Sequence, residues 1–159
     1  WSSDVCSSDL FEKKKKGKIG MKSFGYCVWF LIDDNRKHTF TDMKFLPHIT
    51  IEKHINFDVH YLKKFPKNKS YSFRLGTPIQ TKDENFYAFQ YPVHVVDASI
   101  PNWFEKESHL SVHYDYDKEI DIHKDVPESL QNLSGTVVTG SKVAVFLCNG
   151  HYDSWERVM

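Results

Sequence analysis

A chain of 159 residues with 21 Lys and Arg against 21 Asp and Glu has room for one domain with a real core, and its cancelled charge excludes a bulk electrostatic pull toward nucleic acid or an anionic membrane. Aromatics at 15%, with seven Gly and six Pro, exclude a low-complexity chain. The three cysteines, Cys6, Cys27 and Cys148, are odd in number and form no CxxC, so they suggest neither a disulfide framework nor a zinc site. The longest apolar stretch, residues 26–32, falls far short of the roughly 18 to 20 residues that cross a bilayer. A soluble, cytoplasmic, monomeric protein without membrane association is expected.

Residues 1–20 join a Ser/Asp-rich decamer to a lysine run, Lys13 to Lys16, and show neither apolar period of a packed element. They read as a disordered or non-native leader, and residues 21–159 as the domain. Residues 23–32 form a continuous apolar and aromatic run stopped by Asp33-Asp34-Asn35, the pattern of a strand covered on both faces in mid-sheet. After Pro47, His48-Ile49-Thr50-Ile51 alternates and places His48 and Thr50 on one face. The spacing of Phe57, Tyr61, Leu62 and Phe65 predicts a short amphipathic helix over 56–65, begun by Asn56 and ended by Pro66.

Strands are predicted over 70–75 and 86–96, with a turn-rich segment at 76–85 between them. Residues 109–116 alternate as a strand, with His109, Ser111 and His113 on one face and Leu110, Val112 and Tyr114 on the other. A second short helix is predicted over 126–133, and Gly135 and Gly140 bracket a short strand at Val137-Val138. Strands at 142–148 and 153–158 flank an Asn149-Gly150 turn. This order predicts an α+β fold with largely antiparallel sheet.

Of the nine histidines, His48 and His109 share a context: both begin a tetrad of His, apolar, hydroxyl, apolar, as His48-Ile49-Thr50-Ile51 and His109-Leu110-Ser111-Val112. A given His begins such a tetrad by chance roughly 3% of the time. Each tetrad in a strand points an imidazole and a hydroxyl the same way, so two such strands side by side line a groove suited to a phosphate. One neutral imidazole takes a proton from water and a protonated one gives a proton to a leaving oxygen, while Thr50 and Ser111 hold the non-bridging oxygens. The two tetrads do not distinguish base from acid. No metal or cofactor is required for that chemistry. A metal site of His48, His109 and His113 is the weaker reading, because no carboxylate or Cys has supporting spacing. Tyr26, Trp29, Trp103 and Tyr114 offer π-faces for a base, with core packing as the alternative. Lys53, Lys63, Lys64, Lys67 and Lys69 read as a wet helix face or, less simply, as a track for an RNA backbone.

These residues resemble the two-histidine (2H) phosphoesterases, which carry paired His-x-Thr/Ser-x motifs on inner strands. The cyclic phosphodiesterase branch is similar in its Tyr-x-x-Trp element, matched by Tyr26 to Trp29, in Phe45-Leu46-Pro47 before the first tetrad, in Tyr114 after the second, and in Trp155-Glu156 near the end. Ser108 stands where a Pro often precedes the second histidine, and Asp115 stands where a Gly is common, which places a carboxylate near the expected phosphate. The resemblance covers roughly residues 25–158. It implies a bilobal α+β, LigT-like fold of two antiparallel sheets with flanking helices. It also implies hydrolysis of a 2′,3′-cyclic nucleotide or ADP-ribose 1″,2″-cyclic phosphate by His48 and His109, with Thr50 and Ser111 binding phosphate, Tyr114 and Tyr26 stacking the substrate, and no metal. A small nucleotide or an RNA terminus is the expected partner. Cleavage of a 2′,5′ linkage or a cyclic oligonucleotide would use the same site, and a non-catalytic RNA-binding module is the remaining alternative.

Overall fold

The computed structural model describes residues 21–33, 40–56, 58, 60–65, 69–96 and 108–159. The leader and Trp103 lie outside them. The strands are β1 (Ser23–Ile32), β2 (His48–Ile55), β3 (Tyr71–Leu75), β4 (Ile79–Lys82), β5 (Tyr87–Val95), β6 (His109–Asp115), β7 (Val137–Asn149) and β8 (Glu156–Arg157). All pair antiparallel within one eight-stranded sheet in the order β1-β2-β6-β5-β3-β7-β8, and β7 also returns to pair with β1, so the path closes into a ring. Short β4 pairs with β5 alone. The helical elements are few and brief: α1 (Ile122–Asp125), α2 (Glu128–Gln131) and two 3-10 turns, Tyr61–Lys64 and Tyr152–Ser154. The fold is therefore of α+β type and dominated by antiparallel sheet. Among the described residues no helix is long and apolar enough to cross a membrane.

The strand order follows from where apolar side chains can hide. β1 carries side chains buried on both faces, and it lies between β2 and β7, mid-sheet as its unbroken apolar run predicts. One face of the ring packs Val28, Phe30, Ile49, Phe73, Tyr91, Leu110 and Val145 against Leu130 and Val126 from the helical segment. Tyr91 ties that segment down, its hydroxyl donating to the Leu130 carbonyl at 2.5 Å and accepting from the Leu133 N–H at 3.1 Å. The opposite face carries a second, aromatic cluster of Trp29, Phe45, Phe86, Tyr114 and Phe146.

Three expectations are corrected. The helix predicted over 56–65 is a single 3-10 turn, Tyr61–Lys64, among the described residues; Phe57 and Pro66 lie outside them. Its polar side is used, with Tyr61 hydroxyl bonded to Glu52 and Lys64 Nζ 3.3 Å from Glu52. The turn-rich 76–85 segment contains strand β4, whose pairing with β5 outweighs its weak local pattern. Gly140 does not end a strand, since β7 runs through it from Val137 to Asn149. Its reason lies in packing: a Cβ there would collide with the Leu31 carbonyl oxygen of β1 and crowd the Phe30 ring at 3.2 Å. We expect Gly140→Ala to lower stability by about 1 to 3 kcal/mol, the range for overpacking, read by urea denaturation. An unchanged midpoint would mean that β1 and β7 separate there at no cost.

Candidate active site

The two tetrads meet where β2 and β6 pair. The recorded partner pair is Ile49 with Leu110. Antiparallel continuation sets His48 opposite Ser111 and Thr50 opposite His109, so each imidazole faces the other tetrad's hydroxyl and the imidazoles lie on a diagonal. Ile49 and Leu110 face the first cluster, which turns His48, Thr50, His109 and Ser111 to the aromatic face. His109 is near enough to His48 to disfavour a proton on it.

His48 is held in one orientation. Its ring stacks on Trp29, with centroids 3.4 Å apart and planes 6° apart, and the edge of Phe45 closes on it at 5.6 Å. Trp29 stacks on Phe146 with its other side, at 3.8 Å. The His48 Nδ1–H donates to the Leu46 carbonyl at 2.7 Å, an assignment that follows from the carbonyl being only an acceptor. Nε2 is then the lone-pair nitrogen, and it takes no hydrogen-bond partner among the described residues. His48 is 5% exposed. Burial, aided by the nearby His109, holds its pKa down to about 3, against the opposing pull of the Leu46 carbonyl. The ring is neutral at physiological pH.

β6 departs from its predicted alternation. Tyr114 is opposite Ala88, His113 opposite Phe89 and Ser111 opposite Gln90, so Val112 is an extra residue, a β-bulge. The bulge reverses facing beyond it. Tyr114 joins Ser111 on the aromatic face, and His113 goes with Phe89 to the opposite face, away from His48 and His109. There His113 Nδ1 lies 2.9 Å from both carboxylate oxygens of Asp42. The weaker metal reading of His48, His109 and His113 loses its third member, and among the described residues no three His, Cys, Asp or Glu side chains gather for a metal ion.

The stacking residues are placed differently from expectation. Tyr26 packs against the first cluster, on the face opposite Trp29 and His48. Tyr114 is on the right face but is buried, its ring stacked on Phe86 at 4.0 Å and flanked by Phe45 at 5.0 Å. No open π-face remains for a base. Its hydroxyl instead lies beside Ser111, and burial raises its pKa despite that neighbour. Asp115 is also engaged: its carboxylate accepts from the N–H groups of Asp117 and Lys118 at 2.9 and 3.1 Å and stabilises a turn.

Sequence reasoning missed two features. Along β2, Trp29 pairs with Thr50 but Val28 pairs with Glu52, so Ile51 is a second bulge residue. Facing shifts by one, and Lys53 reaches the aromatic side, its Nζ 5.4 Å from the ring centre of Phe24. That exposed cation lies on the strand of Thr50. The second feature is a cavity of about 340 Å³ walled by Trp29, Phe45, Phe146, Tyr152 and Trp155, with Lys44 at its lining. It abuts the rings that clamp His48. The buried thiols of Cys27 and Cys148 sit in the same cluster, where the hydrogen bond to Cys27 and burial raise the Cys148 pKa.

The chain matches no protein-family model, and comparison with curated proteins and with solved structures gives no significant match.

Proposed function

We propose that the protein is a metal-independent phosphodiesterase that opens a cyclic phosphate on a nucleotide, with His48 as general base and His109 as general acid. The observation that carries this reading is the β2–β6 register, which sets the two His-and-hydroxyl tetrads side by side on one face. His48 suits the base: it is neutral, with Nδ1 committed to Leu46 and Nε2 left as acceptor. His109, half-buried across the diagonal, supplies the acid. Water attacks phosphorus and passes its proton to His48 Nε2. The bond from phosphorus to one ring oxygen breaks, and that oxygen takes a proton from His109, leaving a monoester. Hydroxyls of Thr50 and Ser111 donate to the non-bridging oxygens as charge builds.

A base with so low a pKa in the free protein is a weak acceptor. The anionic phosphate bound beside it opposes the two effects that lower it, so proton affinity rises when substrate is present. The nucleoside would lie toward the cavity of Trp155 and Tyr152, with Lys53 near the phosphate. The bilobal reading belongs to the same proposal: β7, β1 and β2 on one side and β6, β5 and β3 on the other would be its two sheets, each carrying one tetrad and joined by the β2–β6 and β3–β7 pairings.

The test is hydrolysis of 2′,3′-cyclic mononucleotides, ADP-ribose 1″,2″-cyclic phosphate, a 2′,5′-linked dinucleotide and a cyclic dinucleotide, with EDTA present. Turnover that survives EDTA and is lost in His109→Ala supports the reading and names the substrate. Absence of turnover across the panel from folded protein sinks it, and salt-sensitive RNA affinity that is indifferent to both histidines would replace it with a binding module.

A further inference from the structure

The pairing on which the site depends is thin. Between β2 and β6 a single partner pair, Ile49 with Leu110, is recorded, whereas β1 and β7 are matched along most of their length. The relative placement of the tetrads therefore needs support from outside the ladder, and the segment leading into β2 supplies it. Phe40 is buried in the first cluster and Phe45 in the aromatic cluster, so residues 40–45 pass from one face of the sheet to the other just before His48.

The crossing is fastened to β6 at its bulge. The hydroxyl of Thr41, 1% exposed, donates to the Val112 carbonyl at 2.8 Å and accepts from the Met43 N–H at 3.0 Å. The next residue, Asp42, meets His113 Nδ1 at 2.9 Å through both oxygens, and both side chains are largely shielded from solvent. Val112 is the residue that has no partner in β5, and His113 is the residue that the bulge turns away from the tetrad. The bulge thus presents one carbonyl and one imidazole to two consecutive side chains that precede His48.

We propose that Thr41 and Asp42, gripping Val112 and His113, form a clamp that sets the His48 tetrad against the His109 tetrad. His113 and Asp42 are positioning residues, acting on the reaction through the placement of β2 and β6. The clamp's consequence for turnover rests on the phosphodiesterase reading; its consequence for strand pairing does not. Losing a side-chain bond to a partly desolvated imidazole loosens the alignment of base and acid, and small misplacements of reacting groups are costly in rate.

Asp42→Ala tests this, with Asp42→Asn as its partner, because the Asn carbonyl oxygen can still accept from His113 Nδ1–H. Expected for Asp42→Ala is a fall in kcat of roughly tenfold to a hundredfold with KM little changed, recovery of most of that loss in Asp42→Asn, and faster amide hydrogen exchange in the peptides that contain His48–Thr50 and His109–Ser111. A residue that only contributes stability would lower the melting temperature without moving kcat apart from KM and without speeding exchange selectively at those strands. Exchange there unchanged in Asp42→Ala overturns the clamp. So does wild-type kcat in that variant. If the unaltered protein turns over no substrate, the exchange result alone decides the clamp, and the lost turnover counts against the phosphodiesterase reading.

Discussion

Replacing His109 by Ala, or His48 by Asn, is expected to lower kcat/KM for the cyclic nucleotide by about 100-fold to 10,000-fold each, the usual worth of a positioned acid or base. The His48 substitution is chosen for what it keeps. Asn places an amide N–H near the position of Nδ1, so the bond to the Leu46 carbonyl can persist while Nε2 disappears. Ala there would also leave a hole between Trp29 and Phe45 and confuse loss of fold with loss of chemistry. The double variant should lose little more than either single one, because base and acid serve the same step. Steady-state rates with circular dichroism as a folding control decide it. Activity within a few-fold of wild type in either single variant removes that histidine from the mechanism.

The second large effect is on stability in acid. His48 is lowered in the folded state to about 3 from an ordinary value of 6.5, mainly by burial. Between those values the unfolded chain binds a proton that the folded chain does not, so protonation pulls the equilibrium toward unfolding. The contribution of His48 to stability is therefore fully present above about pH 6.5 and is lost as pH falls toward about 3, with a slope approaching about 1.4 kcal/mol per pH unit in the middle of that window. Urea denaturation from pH 7 to pH 4 should show His48→Asn less stable than wild type at neutral pH but losing less on acidification. Parallel curves for the two proteins would mean that His48 is protonated as easily when folded as when unfolded, and its role as a neutral base would fall with that.

Much of the fold is written in local patterns. The apolar run of β1, the alternation that opens β2 and β6, and the limits of β3 and β5 follow from β-branched and aromatic side chains that need one or two covered faces. The two tetrads are legible for the same reason, since a period of two puts His48 with Thr50 and His109 with Ser111 whatever lies around them. What tertiary structure alone decided is everything beyond a bulge. Val112 and Ile51 are ordinary residues in alternating stretches, and they become bulges only because β5 and β1 match the strands on either side of them in shifted register. That shift sends His113 to Asp42, brings Tyr114 beside Ser111 and carries Lys53 to the aromatic face. Tyr26 and Trp29, three residues apart, fall to opposite faces by that same period of two, and the ring of strands decided only which of those faces carries the histidines. The neutral state of His48 belongs to the same level, because desolvation depends on Trp29 and Phe45 arriving from elsewhere in the chain. Residue type and local period determined which side chains carry the chemistry; inter-strand register, a non-local free energy, decided which of their neighbours face it.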